Sequence, residues 1–88
     1  MIKTYAEFKE CVHKHYTEMS LIPEEYLNET GKEVKKLYTL IQRDIIFADT
    51  AAELLNVIET SPNEYIFLEK KAWQERRLIV SCLKKISQ

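Results

Sequence analysis

Apolar residues recur along this chain at the three- and four-residue spacing of an α-helix. The first such stretch predicts a helix over residues 5–19, because its apolar positions step by 3, 4, 4 and 3: Tyr5, Phe8, Val12, Tyr16 and Met19. Three later stretches predict helices over residues 32–47, 51–60 and 62–86. The pattern therefore predicts an all-α protein, a compact four-helix bundle that forms a single helical domain over residues 1–88.

A hydroxyl residue stands three positions before a glutamate at the start of each predicted helix. In such a capping box, the hydroxyl oxygen accepts the N–H of the third helical residue, and the glutamate reaches back to the cap's own N–H. Each cap stabilises a helix by about 1 kcal/mol. The four pairs are Thr4–Glu7, Thr30–Glu33, Thr50–Glu53 and Ser61–Glu64. Pro62 follows the last cap and predicts a sharp corner between the last two helices.

Residues 20–30 form a connector between the first two predicted helices. Pro23 can start a single helical turn, because a prolyl ring fits the first helical position. Four apolar residues make the segment too apolar for a free linker: Leu21, Ile22, Tyr26 and Leu27. We therefore expect a partly ordered connector that lies against the bundle.

The second and fourth predicted helices carry the widest apolar faces. The second presents Val34, Leu37, Tyr38, Ile41, Ile45 and Ala48, flanked by Leu40 and Phe47. The fourth presents a line that is apolar except for Glu75: Tyr65, Leu68, Ala72, Glu75, Ile79, Cys82 and Ile86. A second line of Ile66, Trp73 and Val80 lies beside it, with Leu83 between the two. One neighbouring helix cannot cover a face as wide as that of the fourth helix. This width predicts a helix that packs between two others, or one that also meets a second chain in a dimer or a complex.

The amino-acid composition argues against several classes of protein. A single glycine and two prolines are too few for a hairpin-rich β protein or a phosphate-binding glycine loop. The formal net charge of −1 gives no general reason to expect nucleic acid or an anionic membrane.

No apolar run approaches the roughly 20 residues that span a bilayer, and no segment resembles a signal peptide. We expect a cytoplasmic protein with reduced Cys11 and Cys82, and ten lysines against three arginines hint at a bacterial or phage genome.

Charge is unevenly distributed along the chain. Residues 1–61 hold 11 acidic and 7 basic side chains, whereas residues 62–88 hold 3 acidic and 6 basic ones. The acidic residues Glu18, Glu24, Glu25 and Glu29 occur with no basic residue among them, and Lys70, Lys71, Arg77, Lys84 and Lys85 line one face of the last predicted helix. This basic strip is either a solvated face or a docking strip for an acidic partner. That partner could be the acidic patch of a second copy.

Aromatic side chains can fill a small core or anchor an interface. We expect Tyr38 and Trp73 in the core, and we expect Phe67 to be exposed because it projects away from the main apolar stripe. The candidate partner-binding residues are therefore Phe67, Lys70, Lys71, Arg77, Lys84, Lys85, Glu24, Glu25 and Tyr26.

Candidate catalytic and metal sites are incomplete. Cys11 and His15 share a helix face that Cys82 could approach, but a zinc site needs four ligands, and a nucleophilic pair needs an oriented base and an oxyanion site. Glu10 and His13 match half of a di-iron motif that such bundles need twice. Small buried thiols and a histidine at the edge of the stripe are the simpler interpretation. We expect no catalytic residue, no metal and no cofactor, and hence no enzyme.

Two hypotheses for function remain. The first is a small helical protein–protein interaction module, of the regulator, immunity or inhibitor type, that occupies a partner's surface. The alternative is a helix-turn-helix regulator that binds DNA through the helix pair 51–60 and 62–86. The pair has roughly the right phasing, but the turn lacks the motif's common glycine, and Glu64 and Glu69 would oppose phosphate.

Overall fold

Four α-helices follow one another in the part of the chain that the computed structural model describes, residues 2–60 and 65–87. They are α1 (Tyr5–Ser20), α2 (Glu29–Ile45), α3 (Ala51–Thr60) and α4 (Tyr65–Ile86), with a single 3-10 turn at Glu24–Tyr26 and no strand in those residues. For residues 65–71 and for Trp73, only the backbone is described. The all-α prediction is confirmed. The predicted cap Ser61–Glu64 and the corner at Pro62 lie outside the described residues.

Two of the predicted caps are present. The Glu7 N–H donates to Thr4 Oγ1 at 3.1 Å at the start of α1. The Glu53 N–H donates to Thr50 Oγ1 at 3.2 Å at the start of α3. The Glu53 carboxylate then reaches one residue further back than a capping box requires, because it accepts the Asp49 N–H at 2.8 Å. Both helices therefore begin where the hydroxyl residues predict.

The cap predicted at Thr30 is wrong. Helix α2 begins at Glu29, and Asn28 caps it by accepting the Gly31 N–H on Oδ1 at 2.7 Å. Asparagine is at least as good a cap as threonine, so the earlier residue takes the role, and Thr30 lies inside the first turn. The helix gains three residues at its start relative to the prediction.

Helix α2 is the centre of the molecule, because it packs against both α1 and α4. Helix α4 also packs against α3, so it lies between two helices, as the width of its apolar face predicts. The core comprises Phe8, Val12, Leu37, Tyr38, Ile41, Ala48, Ala51, Leu54, Ile58, Ala72, Ile79 and Leu83. Every predicted apolar stripe with described side chains contributes to it.

The corner between α2 and α3 differs from the prediction. Helix α2 ends at Ile45, and the next turn is tightened, since the Phe47 N–H donates to the Asp44 carbonyl at 3.0 Å. Ala48 is buried, and its carbonyl accepts the Tyr5 hydroxyl at 2.7 Å. This geometry turns Phe47 outward, where it is 80% exposed, so its predicted place beside the core is wrong.

Helix α4 is not regular throughout. Ala72 has φ −112° and ψ 34°, which are not helical values, so the chain kinks at this buried residue. Beyond the kink, Ile79 and Leu83 are buried, and Val80, Cys82 and Ile86 are half-buried. The predicted last helix is therefore present over Tyr65–Ile86, with a kink at Ala72 that the sequence pattern did not predict.

We predict that Asn28→Ala lowers the free energy of unfolding by about 1 kcal/mol, because the Gly31 N–H loses its acceptor. Thr30→Ala is the matched control, and it should change stability by less than about 0.5 kcal/mol because an exposed alanine suits a helix interior. Urea denaturation of both variants measures the two values. A larger loss for Thr30→Ala than for Asn28→Ala would contradict the assignment of the cap.

Candidate interaction surfaces

The connector between α1 and α2 exposes large apolar side chains. Leu21 is 79% exposed, Tyr26 is 76% exposed and Ile22 is 39% exposed, whereas Leu27 is half-buried. The expectation that this segment lies against the bundle is therefore wrong for most of it. Only Leu27 turns inward, because the 3-10 turn places its neighbours on the solvent side. We call Leu21, Ile22, Glu24, Glu25 and Tyr26 the connector surface.

Backbone hydrogen bonds order the connector. The Tyr26 N–H donates to the Pro23 carbonyl and the Leu27 N–H donates to the Glu24 carbonyl, both at 3.0 Å. Pro23 precedes this turn, as the sequence predicts. The Ile22 N–H donates to the Met19 carbonyl at 3.2 Å, which continues the end of α1. The exposed apolar side chains therefore project from a fixed backbone.

Exposed carboxylates occur on the same segment as these apolar side chains. Glu24 forms an ion pair with Lys35 of α2, with Oε1 and Nζ 3.8 Å apart, and its side chain is still 71% exposed. Glu18 and Glu25 are exposed nearby in sequence. An exposed ion pair of this kind stabilises by at most about 1 kcal/mol, so it leaves Glu24 able to meet a partner. Glu24, Glu25 and Tyr26 are predicted partner-binding residues, and the structure shows all three exposed in one 3-10 turn.

The predicted basic strip is only partly described. Arg77, Lys84 and Lys85 are exposed on α4, whereas the side chains of Phe67, Lys70 and Lys71 lie outside the described residues. Lys84 forms an ion pair with Glu59 of α3, with Nζ and Oε1 3.7 Å apart. Lys84 therefore has a contact within the chain.

A polar contact joins α2 to α4 within the core. The Tyr38 hydroxyl donates to Glu75 Oε1 at 2.6 Å, and Tyr38 is only 6% exposed. The prediction that Tyr38 is a core residue is confirmed. Burial raises the pKa of Tyr38, and the hydrogen bond and the negative charge of Glu75 raise it further. The His15 ring stacks on the Tyr38 ring with centroids 5.2 Å apart.

A cavity of about 140 Å³ lies beside this contact, between α1, α2 and α4. Cys11 of α1 and Cys82 of α4 both line it, together with Tyr38 and Glu75. Both thiols are free and half-buried, rather than fully buried as the sequence suggests. Burial raises the pKa of Cys82, the charge of Cys11 raises it further, and Lys85 opposes the shift.

The described residues contain no group of three or more His, Cys, Asp or Glu side chains placed to hold a metal ion. Glu10, His13 and His15 are exposed on α1. An open groove of about 310 Å³ beside the connector is lined by charges of both signs, including Glu24, Lys32 and Lys36. Within the described chain, no helix has the length and apolarity to cross a membrane.

The helix-turn-helix hypothesis depends on side chains at the start of α4. Residues 61–64 and the side chains of 65–71 lie outside the described residues, so the turn and the start of its recognition helix gain no support. Helix α3 does pack against α4, as it would in many helical folds. DNA binding therefore stays an untested prediction.

Outside the connector, the exposure of three apolar residues and the burial of one acid were not predicted from the sequence. Ile46 and Leu78 are 73% and 66% exposed, and with Phe47 they stand next to apolar stripes. Asp44 is 7% exposed, and its carboxylate accepts hydrogen bonds from the Arg43 side chain at 2.9 and 3.2 Å. In the sequence, the burial of Asp44 could have been predicted only from the adjacent Arg43, which can pair with its carboxylate. The exposure of Ile46 could have been predicted only from its position one residue after Ile45, a member of the apolar stripe of α2.

Tyr38→Phe should lower the free energy of unfolding by about 2 kcal/mol near neutral pH, because the carboxylate of Glu75 loses the hydroxyl that donates to it. Tyr26→Phe is the matched control, since Tyr26 is exposed, and it should change stability by less than about 0.5 kcal/mol. Urea denaturation measures both. Equal effects of the two substitutions would contradict a stabilising role for the contact.

The stabilising effect of Tyr38, measured against Tyr38→Phe, should depend on pH. Because folding raises the pKa of Tyr38, its stabilising contribution is fully present below the ordinary tyrosine pKa of about 10. As pH rises past that value, tyrosine in the unfolded chain loses its proton first, so stability falls. The stability difference between the wild type and Tyr38→Phe should therefore shrink between about pH 9 and 11. A difference that stays constant or grows would contradict the assignment.

Comparison of the chain with protein-family models, with curated proteins and with solved structures finds no match in any of the three. Function is therefore inferred from the chain's own surfaces and its cavity.

Proposed function

We propose that this chain is a small helical protein–protein interaction module that acts without catalysis by occupying a partner's surface. The observation that carries the proposal is the connector surface, where Leu21 and Tyr26 are 79% and 76% exposed on a segment that also carries exposed Glu24 and Glu25. Exposed apolar side chains together with polar ones are typical of binding sites. Tyrosine is also among the residues that contribute most to interface energy.

Preorganisation supports the proposal. Binding is weakened when side chains or loops must be ordered at the interface. Pro23 and the hydrogen bonds of the 3-10 turn fix the backbone beneath Tyr26 before any partner arrives. The end of α1 fixes the backbone beneath Leu21 in the same way, since the Leu21 N–H donates to the Glu18 carbonyl at 3.2 Å. Little backbone entropy would be lost when a partner covers this surface.

Charge indicates the kind of partner. Glu18, Glu24 and Glu25 are exposed within three residues of Leu21 or Tyr26 in sequence, and Lys35 pairs with Glu24. A complementary surface would offer an apolar pocket with lysine or arginine at its rim. Rim charges mainly set the rate of association and its dependence on salt, whereas the apolar anchors set the lifetime of the complex.

A second copy of this chain carries exposed basic side chains beside an exposed apolar one. Arg77 and Lys85 are exposed on α4, and Leu78 between them is 66% exposed. Contact between this part of α4 and the connector surface of another copy would join unlike surfaces. Such an interface is heterologous, and it leads to rings or open chains rather than to a two-fold dimer.

We predict that Leu21→Ser combined with Tyr26→Ala weakens binding at least about tenfold, because the partner loses two apolar anchors. The partner is first captured from lysate of the producing cells, then purified and titrated calorimetrically against each variant. Ile46→Ser with Phe47→Ala is the matched control. It removes similarly exposed apolar side chains at the opposite end of α2 and should bind like the wild type.

Three outcomes would contradict the proposal. They are the absence of any saturable partner, equal affinity of the connector variant, or a loss confined to the control variant. Light scattering across a concentration series tests the second copy as a partner. A mobility shift of duplex DNA at low salt, unchanged by the connector variant, would favour the DNA-binding alternative.

A further inference from the structure

Cys11 and Cys82 are the only two cysteines of the chain, and the fold brings them to one cavity. They lie on α1 and α4, two helices that each pack against α2. Residues of both helices line the cavity of about 140 Å³. Two residues about 70 positions apart in sequence thus share the walls of one small space.

Both thiols can be reached from solvent, since each is half-buried and neither is engaged in a disulfide. Their electrostatic coupling also indicates proximity, because the charge of Cys11 helps to raise the pKa of Cys82. The cavity walls are mainly apolar, from residues such as Phe8, Val12 and Ile79. Tyr38 and Glu75 are its polar lining residues, and they already bond to each other at 2.6 Å.

We propose that Cys11 and Cys82 form a thiol–disulfide exchange site that a small disulfide, such as oxidised glutathione, converts to an intramolecular disulfide between α1 and α4. One cysteine thiolate attacks the small disulfide and forms a mixed disulfide, and one small thiolate leaves. The second cysteine thiolate attacks the protein sulfur of that mixed disulfide and displaces the other small thiolate. Each cysteine gives up one proton, the released thiolates take up two, and the protein loses two electrons to the small disulfide.

The cross-link has a structural consequence. A disulfide requires its two Cα atoms to lie within about 7 Å of each other, so the bond draws α1 and α4 together and reduces the cavity between them. It also closes a loop of about 70 residues, which restricts the unfolded chain more than the folded one. The oxidised protein is therefore more compact around Tyr38 and more resistant to unfolding than the reduced protein.

The test equilibrates the full chain with reduced and oxidised glutathione, in native buffer and in concentrated urea. Acid quenching, alkylation and mass spectrometry then count the products. The expected native product is a monomer that has lost two hydrogens, reversed by a reducing agent. Its equilibrium constant should be at least about tenfold larger in native buffer than in urea, because the fold raises the effective concentration of one thiol near the other.

Cys11→Ser and Cys82→Ser are the matched controls, and each should stop at a single mixed disulfide. The proposal is overturned if the native wild type carries glutathione on both cysteines, or if it forms only disulfide-linked dimers. It is also overturned if bridging is no more favourable in native buffer than in urea. The comparison of native and unfolded wild type needs no variant, so it decides the matter even if a serine variant fails to fold.

Discussion

The burial of one helix between two others is the constraint on which the rest of this structure depends. Leu37 and Ile41 of α2 are 1% and 0% exposed, and that helix packs against both α1 and α4. A thin core of this size cannot tolerate a misplaced helix, because an 88-residue chain buries only about 60–65% of its unfolded surface. Apolar burial brings the three helices together but does not fix their relative positions along the helix axes. The hydrogen bond between Tyr38 and Glu75 fixes the position of α4 relative to α2, because a polar pair within an apolar interface is satisfied at a single register.

Glu75 illustrates both the power and the limit of sequence reasoning here. Its position in the apolar stripe of the last helix was visible as an exception to the pattern. The residue that satisfies it, Tyr38, lies on another helix 37 positions away and was visible only as an apolar core residue. Helical periodicity records which face of a helix turns inward, but it does not record which residues of two helices meet. The fold class and the main core could therefore be predicted, whereas the contact that aligns the helices could not.

Errors at the helix ends have a common physical cause. Several residues near an end can cap the same helix, and small differences in free energy choose among them. Asn28 and Thr30 both have side chains suited to capping, and Asn28 takes the role by accepting the Gly31 N–H. The tightened turn after Ile45 likewise depends on the burial of Ala48 and on its hydrogen bond from Tyr5, which is a long-range contact. Because these choices decide which side chains face solvent, the candidate surface was harder to predict than the core. Glu24, Glu25 and Tyr26 were identified from sequence as polar or aromatic candidates, but the exposure of Leu21 and Ile22 beside them was not.

The two ends of α2 both show exposed apolar side chains, but they differ in how local geometry accounts for them. At the end near α3, the tightened turn must bury Ala48, and the two residues before it then face outward as a consequence of helical geometry. No comparable requirement explains the connector. Its 3-10 turn buries little, and a polar residue at position 21 or 26 would satisfy the same backbone hydrogen bonds. Leu21 and Tyr26 are 79% and 76% exposed, so they bury little apolar area within the chain. The absence of a local requirement for them is why the proposed function assigns the partner contact to the connector surface and not to the equally apolar corner.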